Sequence, residues 1–378
     1  VTPLRVQNTV QGSCDMGSFP HECPGDRHVG ETAVRELFEE RWGVPLDDEP
    51  GLRIPNMLSA AVDGTFMGLL VQGEDIAQSD PDTRHVTAGL EAMECVVVQD
   101  LFLNETASYA HVFLPGTSFL EKDGTFTNAE RRINRVRPVM ASKTGLQEWE
   151  VISLIANAMG YPMSYASGAE IMDEIAAMTP TFAGVSFDKI DRLGSLQWPC
   201  NDAAPDGTPT MHVSGFSRGK GYFSLTKFVP TDERTNRFFP LILTTGRILS
   251  QYNVGAQTRR TENSIWHPED VLELHPHDAD VRGIEDGGMV SIASRKGATT
   301  LRARITDRMP QGVVYTTFHH PVSGANVVTT ENSASATNCP ESHATAVTLT
   351  PSHPPPASPP APHRPPPHHV LHAPLRLR

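Results

Sequence analysis

The sequence predicts an α/β protein: an open parallel sheet, then a C-terminal β-barrel, then a disordered Pro-rich tail. Three observations carry this. Between residues 66 and 115, short apolar or β-branched runs end in polar turns and alternate with helix-like stretches, the pattern of a buried parallel sheet. From Phe238 onward the apolar runs are shorter and separated by Gly/Asp turns, which favours a compact barrel. After Leu349 the composition changes abruptly. The expected boundaries are 1–187 for the α/β domain, 188–236 for an ordered connection rich in Gly, Pro, Asp and Thr, 237–350 for the barrel and 351–378 for the tail.

The elements follow in order. Residues 31–43 read as an amphipathic helix with Val34, Leu37, Phe38 and Trp42 on one face, ended by Gly43 and Pro45. Phe66–Gln72 reads as a strand running into Gly73-Glu74-Asp75. Cys95–Gln99 is a β-branched run ending in Asp100, followed by a helix-like Glu105–Ala110 and a short strand His111–Leu114. In an open parallel sheet, ligands bind beyond the strand C-termini. Gly73, Glu74, Asp75, Gln99, Asp100 and the stretch Gly116–Asn128 are therefore expected along one sheet edge. Gln147–Met159 is an expected helix, with Trp149, Ile152, Ile155 and Met159 at helical spacing, Gly160 as its stop and Pro162 beyond. Gly168–Met178 is another. In the barrel, Pro240–Thr245 is a strand, Met289–Ser294 pairs with Thr299–Ile305 across Arg295-Lys296-Gly297, and Gly312–Phe318 adds a further strand.

Bulk numbers exclude several classes. Lys plus Arg is 31 against 44 for Asp plus Glu, a net charge of −13, which argues against nucleic acid as the main partner. No run approaches the roughly 18 apolar residues that a membrane-spanning helix needs. The opening Val1-Thr2-Pro3-Leu4 suggests a chain whose N-terminal part lies elsewhere. The five cysteines (Cys14, Cys23, Cys95, Cys200, Cys339) are dispersed and odd in number. No cysteine-built iron–sulfur or zinc site is expected from this chain, and a reducing, cytoplasmic setting is. The tail holds 11 prolines and 5 histidines in 28 residues; it lacks the apolar surface to offset ordering, so it is expected to be disordered, and a shifted reading frame would account for its onset.

Gly116–Pro138 stands out chemically. It combines two glycines, several hydroxyls, Asn128 and four arginines (Arg131, Arg132, Arg135, Arg137). Backbone N–H groups and guanidinium forks in a turn-rich segment suit a pyrophosphate.

A set of ordered motifs adds to this reading: Gln7-Asn8, Val10-Gln11-Gly12, Cys14-Asp15-Met16-Gly17, Glu105-Thr106-Ala107, Glu121–Arg132, Gly160-Tyr161-Pro162-Met163, Gln197-Trp198-Pro199-Cys200, Thr244–Arg247, Gln251-Tyr252-Asn253, Tyr315–Pro321 and Asn338–Glu341. In these, the chain resembles the molybdenum or tungsten bis-pterin oxidoreductases (the DMSO reductase superfamily), and within them the formate dehydrogenase catalytic subunits, from about Arg5 to Val347. The resemblance implies a domain binding molybdopterin guanine dinucleotide, a barrel of the double-psi type, and formate as substrate. It also implies a metal ligand and a [4Fe–4S] centre upstream of Val1, with partner subunits carrying flavin, iron–sulfur and NAD sites. An assimilatory nitrate reductase, or a metal-free scaffold subunit of a respiratory complex, are the alternatives.

Residue by residue, the resemblance places Arg5 beside the metal, holding the formate carboxylate. Gln7 and Asn8 would contact a pterin. Gly73, Glu74, Asp75, Gln99 and Asp100 would meet guanine N–H groups or ribose hydroxyls. Gly124 and Asn128 would line a nucleotide phosphate. Arg247, Tyr252, Asn253, Asn326 and Glu341 would reach the second pterin. No metal ligand is expected within the chain itself.

Overall fold

The computed structural model describes residues 9–216, 218–333, 338–341 and 343–352. In chain order, α1 (Val10–Asp15), the hairpin strands β1 (Glu22–Cys23) and β2 (Arg27–His28), and α2 (Thr32–Trp42) come first. Next are α3 (Ile54–Val62), β3 (Gly68–Gln72), α4 (Ile76–Ser79), α5 (Thr83–Ala92), β4 (Cys95–Asp100) and β5 (Val112–Pro115). Then follow β6 (Gly124–Thr127), β7 (Arg132–Val136), α6 (Glu148–Ala158), α7 (Gly168–Met178), α8 (Phe187–Leu193) and β8 (Leu196–Gln197). The C-terminal part holds β9 (Leu241–Gly246), β10 (Val271–Leu274), α9 (Pro276–Asp280), β11 (Met289–Ala293), β12 (Ala298–Ile305), β13 (Val313–Thr317) and β14 (Thr345–Ser352).

Packing divides the chain into two compact units: Val1–Arg53 with Gly116–Thr226, and Ile54–Pro115 with Lys227–Arg378. The expected 1–187 stretch thus contributes to both. In the second unit, β3, β4 and β5 form a three-stranded all-parallel sheet. Its apolar cluster includes Leu58, Val71, Val86, Leu90, Val96 and Val98. Gly89 is required where α5 crosses α3, since a Cβ there would lie 3.1 Å from the Leu58 carbonyl oxygen.

The same unit carries a closed six-stranded barrel, with strand order β10-β12-β11-β14-β9-β13. β10 pairs with β12 and β13 with β9 in parallel, and the remaining neighbours are antiparallel. Alternation is strict on β9, β10 and β11: every second residue (Leu241, Leu243; Leu272, Leu274; Val290, Ile292) is buried in the barrel core. That period of two is the signal of one buried face. Closure leaves the barrel no free edge.

The first unit has two smaller cores. Ile133, Met172, Phe182, Phe187, Ile190 and Leu196 surround the antiparallel sheet β6-β7-β8. Cys23, Val34, Phe38 and Met178 form the other. Helix α6 starts with a capping box between Gln147 and Glu150, and α7 with the Ser167 hydroxyl accepting from the Glu170 N–H.

Four expectations need correction. Gly124–Asn128 does not extend the parallel sheet edge: Gly124–Thr127 is strand β6, paired with β7 in another sheet. The connection expected from 188 begins inside α8, whose first residue is Phe187. Glu105–Ala110 contributes a single 3-10 turn, Thr106–Tyr109, in place of a helix. Pro351 and Ser352, expected in the tail, complete β14 opposite Val290 and Met289. The rest of the tail, 353–378, lies outside the described residues.

Candidate functional site

The parallel sheet presents two loops at its C-terminal edge. Gly73, at φ +66°, turns the chain out of β3, and its N–H donates to the Gln99 carbonyl at 2.8 Å. Gln99 is buried and accepts from Gln72 Nε2 at 2.8 Å. Asp75 is buried and accepts the Thr106 N–H at 2.9 Å and hydroxyl at 2.7 Å. Asp100 accepts from the Phe102 N–H at 3.2 Å and from Asn104 Nδ2 at 3.0 Å. The five residues expected here are indeed neighbours. Asp75 and Asp100 spend carboxylate oxygens on shaping the loops, whereas Glu74 keeps an exposed edge.

This rim is acidic and partly desolvated. Burial, with the Asp80 charge behind it, pushes the Glu74 carboxyl up. Burial alone raises Asp80, and burial followed by the Asp75 charge raises Asp100 and Glu105. Such carboxyls repel phosphate but accept from N–H or hydroxyl donors. One cation balances them: burial and Arg260 lower Arg259, against the opposing pull of Asp75, Glu105 and Asp270. The Arg260 guanidinium stands 4.1 Å over the Phe102 ring.

Barrel loops meet this edge through α4. Gln78 Nε2 donates to the carbonyls of Val254 (3.0 Å) and Phe318 (3.1 Å). Asn326 Nδ2 donates to the carbonyls of Gln78 (2.7 Å) and Ser79 (3.0 Å). Asn253, at φ +46°, accepts from the His319 ring. Tyr252 is about half exposed, and its partial burial raises its hydroxyl against the Arg247 charge. Arg247 is exposed above the Phe318 ring at 5.2 Å. Beneath these loops Asp270 is a hub, accepting from the N–H groups of His319 and His320, the His320 ring, Thr317 and Ser323. A cavity of about 360 Å³ lies here, lined by Gln78, Glu105, Tyr109, Phe318, His320 and Asn326 among others. Glu341 is engaged elsewhere, accepting from the Thr231 hydroxyl at 2.6 Å beside a second cavity.

In the other unit, Gly124 and Asn128 lie on the β6–β7 hairpin. Asn128 Oδ1 accepts from the N–H groups of Glu130 (2.9 Å) and Arg132 (3.1 Å), holding the turn. The arginines expected to grip phosphate are all paired within the protein. Arg131 donates to the carbonyls of Trp198 and Thr208, Arg132 pairs with Glu130, Arg135 with Asp123 and Asp191, and Arg137 with Asp191. Arg5, Gln7 and Asn8 lie outside the described residues.

Sequence reasoning missed Gln78, Thr106, Arg259 and Asp270. Thr106 stands within a quoted motif, but no periodicity marks a loop hydroxyl as the partner of an Asp 31 residues away.

Two comparisons identify the ancestry. The molybdopterin oxidoreductase family matches residues 10–158, and the molydopterin dinucleotide binding domain matches residues 241–346. The chain belongs to the molybdopterin oxidoreductase family. Similar proteins include the F420-dependent formate dehydrogenase 1 subunit alpha of Methanococcus maripaludis, 37% identical over 90% of this chain and 50% of the relative. Formate dehydrogenase H of Escherichia coli is 36% identical over 93% of this chain and 50% of the relative. The chain therefore spans about half the length of these curated relatives. Among solved structures, acetylene hydratase from Pelobacter acetylenicus superposes with a TM-score of 0.63 at 16% identity, covering 85% of this chain and 50% of that one; this shows the fold alone.

The donor set of the second unit fits the molybdopterin group of this oxidoreductase family. Gln78 Oε1, Gln251 Nε2 and Arg259 Nε are buried without a hydrogen-bond partner among the described residues. An unmet buried acceptor or donor costs about 1–3 kcal/mol. A fused heterocycle with alternating N–H and C=O groups would satisfy both kinds. The acidic rim would then take the nucleoside, and the barrel loops around Gln251–Asn253 the pterin.

Proposed function

We propose that the chain is the C-terminal portion of a formate dehydrogenase catalytic subunit, oxidising formate to carbon dioxide at a molybdenum or tungsten centre held by two pterin guanine dinucleotides. The observation that carries this is identity: relatives named as formate dehydrogenase alpha subunits are 37–40% identical over 87–90% of this chain.

The bound group supplies the two-electron redox chemistry. The chain supplies orientation. Arg5, the residue assigned to formate, would grip the planar carboxylate bidentately and leave the C–H as the free end of a very small substrate. Gln7 and Asn8 would hold a pterin edge through their amides. Glu74 and Asp100, with carboxyls raised by burial, would accept from the guanine N–H face or the ribose diol. Formate leaves as carbon dioxide, one proton and two electrons.

The electrons would pass through an upstream [4Fe–4S] centre to partner subunits with flavin and NAD sites, in the cytoplasm. The F420 dependence of the Methanococcus relative favours coenzyme F420 as a second reading of the final acceptor.

The test uses the full-length protein from its source. Bound molybdenum or tungsten, released guanine nucleotide and formate-dependent dye reduction are the expected results, with NAD and F420 then compared as acceptors. A metal-loaded protein that reduces nitrate and ignores formate, or a metal-free one, overturns the proposal.

A further inference from the structure

The hairpin β1–β2 carries a cluster that no cofactor contact uses. We infer that His21, Glu22 and His28 form a binding site for a divalent transition-metal ion of borderline softness, zinc being the type case. Their ligand atoms all lie within 4.8 Å of one another. The His21 and His28 rings stack at 5.6 Å with 18° between planes, and His21 Nε2 is 3.5 Å from Glu22 Oε1. Among the described residues, these three side chains make no hydrogen bond to any other group.

The hairpin explains why they converge. Glu22 opposes His28 in the antiparallel register and Cys23 opposes Arg27. Directly opposed residues share a face, and neighbouring pairs alternate. Cys23 therefore points into the core with Phe38, and Arg27 follows it, donating to the Met178 carbonyl at 3.2 Å. Glu22 and His28 point outward together. His21, the residue before the strand, completes the group: its ring stacks on that of His28, and its Nε2 faces the Glu22 carboxylate.

The platform is fixed from beneath. Gly25 takes φ +90° at the turn, and its N–H donates to the Asp15 carbonyl at 2.6 Å. Gly17 lies so close beneath the strand that a Cβ there would be 2.7 Å from the Cys23 carbonyl carbon. Backbone positions are thus set before any ion arrives, and only the three side chains need to turn. Metal–ligand bonds of about 2.1 Å put tetrahedral ligand atoms about 3.4 Å apart, so the side chains close by about 1.4 Å at most.

The donor set selects the ion. Two imidazole nitrogens and one carboxylate suit zinc, nickel or copper and leave at least one position for water. A single carboxylate is too few oxygens for calcium or magnesium. The dispersed cysteines gave no hint of this site because its ligands are not thiolates.

The test must set aside the five tail histidines (His353, His363, His368, His369, His372), which would also take up metal. The full chain with those five changed to serine is titrated calorimetrically with zinc alone. One site per chain is expected, with a raised midpoint of thermal unfolding because the ion binds only the folded hairpin. His21→Ala and His28→Ala should each weaken binding at least about 10-fold. Millimolar magnesium should not compete. Circular dichroism checks that each variant is folded, and Glu22→Gln, which keeps the shape, should weaken binding in the same direction. Zinc uptake that is absent, or unchanged by His28→Ala in a folded variant, overturns the inference and leaves an ordinary surface cluster.

Discussion

Asp75 accepts both the backbone N–H and the hydroxyl of Thr106, at 2.9 and 2.7 Å, inside a buried pocket at the end of β3. One carboxylate thereby fixes the loop after β4 relative to the loop after β3. Removing it strands two buried donors, each costing about 1–3 kcal/mol if left unmet. Asp75→Ala is expected to lower unfolding free energy by about 2–4 kcal/mol in urea titrations, and Thr106→Val by less. The pair should be coupled in a double-mutant cycle; additivity would show that the two loops are held by something else.

Asp270 gives a pH prediction. Burial would raise its carboxyl, but hydrogen bonds from His320, Ser323 and Thr317 outweigh this and hold it at about 2. The folded value is depressed below the ordinary value of about 3.9, so the contribution is present above that value and lost as pH falls towards 2. It amounts to about 2–3 kcal/mol. The native chain should therefore lose more stability between pH 5 and 2.5 than Asp270→Asn, whose amide does not titrate. Parallel acid-unfolding curves for the two would contradict the assignment.

Gly297 closes the β11–β12 turn against the segment that carries Asn326. A Cβ there would lie 2.7 Å from the Val327 carbonyl oxygen and 2.6 Å from Val327 Cγ1. The carbonyl belongs to the backbone and cannot swing aside. Gly297→Ala is expected to destabilise by about 1–3 kcal/mol through that overlap. Gly124→Ala, at a position with open space around it, serves as the control and should change stability by less than about 1 kcal/mol.

Much of the fold was legible because its signals are local. The strands β4, β9 and β11 announce themselves by β-branched or alternating runs, and α6 by apolar residues at helical spacing with Gly160 as its stop. β10 and β14 were not read, because Val-Leu-Glu-Leu is too short to declare a period and Thr345–Ser352 runs into a proline-rich composition. The rim residues Glu74, Asp75, Gln99 and Asp100 were legible as strand ends. What each oxygen does was not, because Thr106, Asn104 and Phe102 reach them only after the loops fold. Gly116–Pro138 misled for a physical reason: its arginines looked available, yet Asp123, Glu130 and Asp191 neutralise three of them and carbonyl oxygens take Arg131. Composition cannot reveal which charges are already paired.

Asn326 separates a structural role from a cofactor contact. The resemblance assigns it to a pterin, but its Nδ2 donates to the carbonyls of Gln78 and Ser79 and so pins the C-terminal end of α4. Gln78 in turn reaches the Val254 carbonyl, next to Asn253. Asn326→Ala leaves the buried Gln78 carbonyl and the half-buried Ser79 carbonyl without that donor and should cost about 1–3 kcal/mol. Asn326→Asp should cost more, since it sets an acceptor against two acceptors. In the full-length enzyme, both variants should lose pterin in proportion to their loss of stability, and cooling or a stabilising osmolyte should restore it. Pterin loss in Asn326→Ala at unchanged stability would instead return this residue to direct contact with the cofactor.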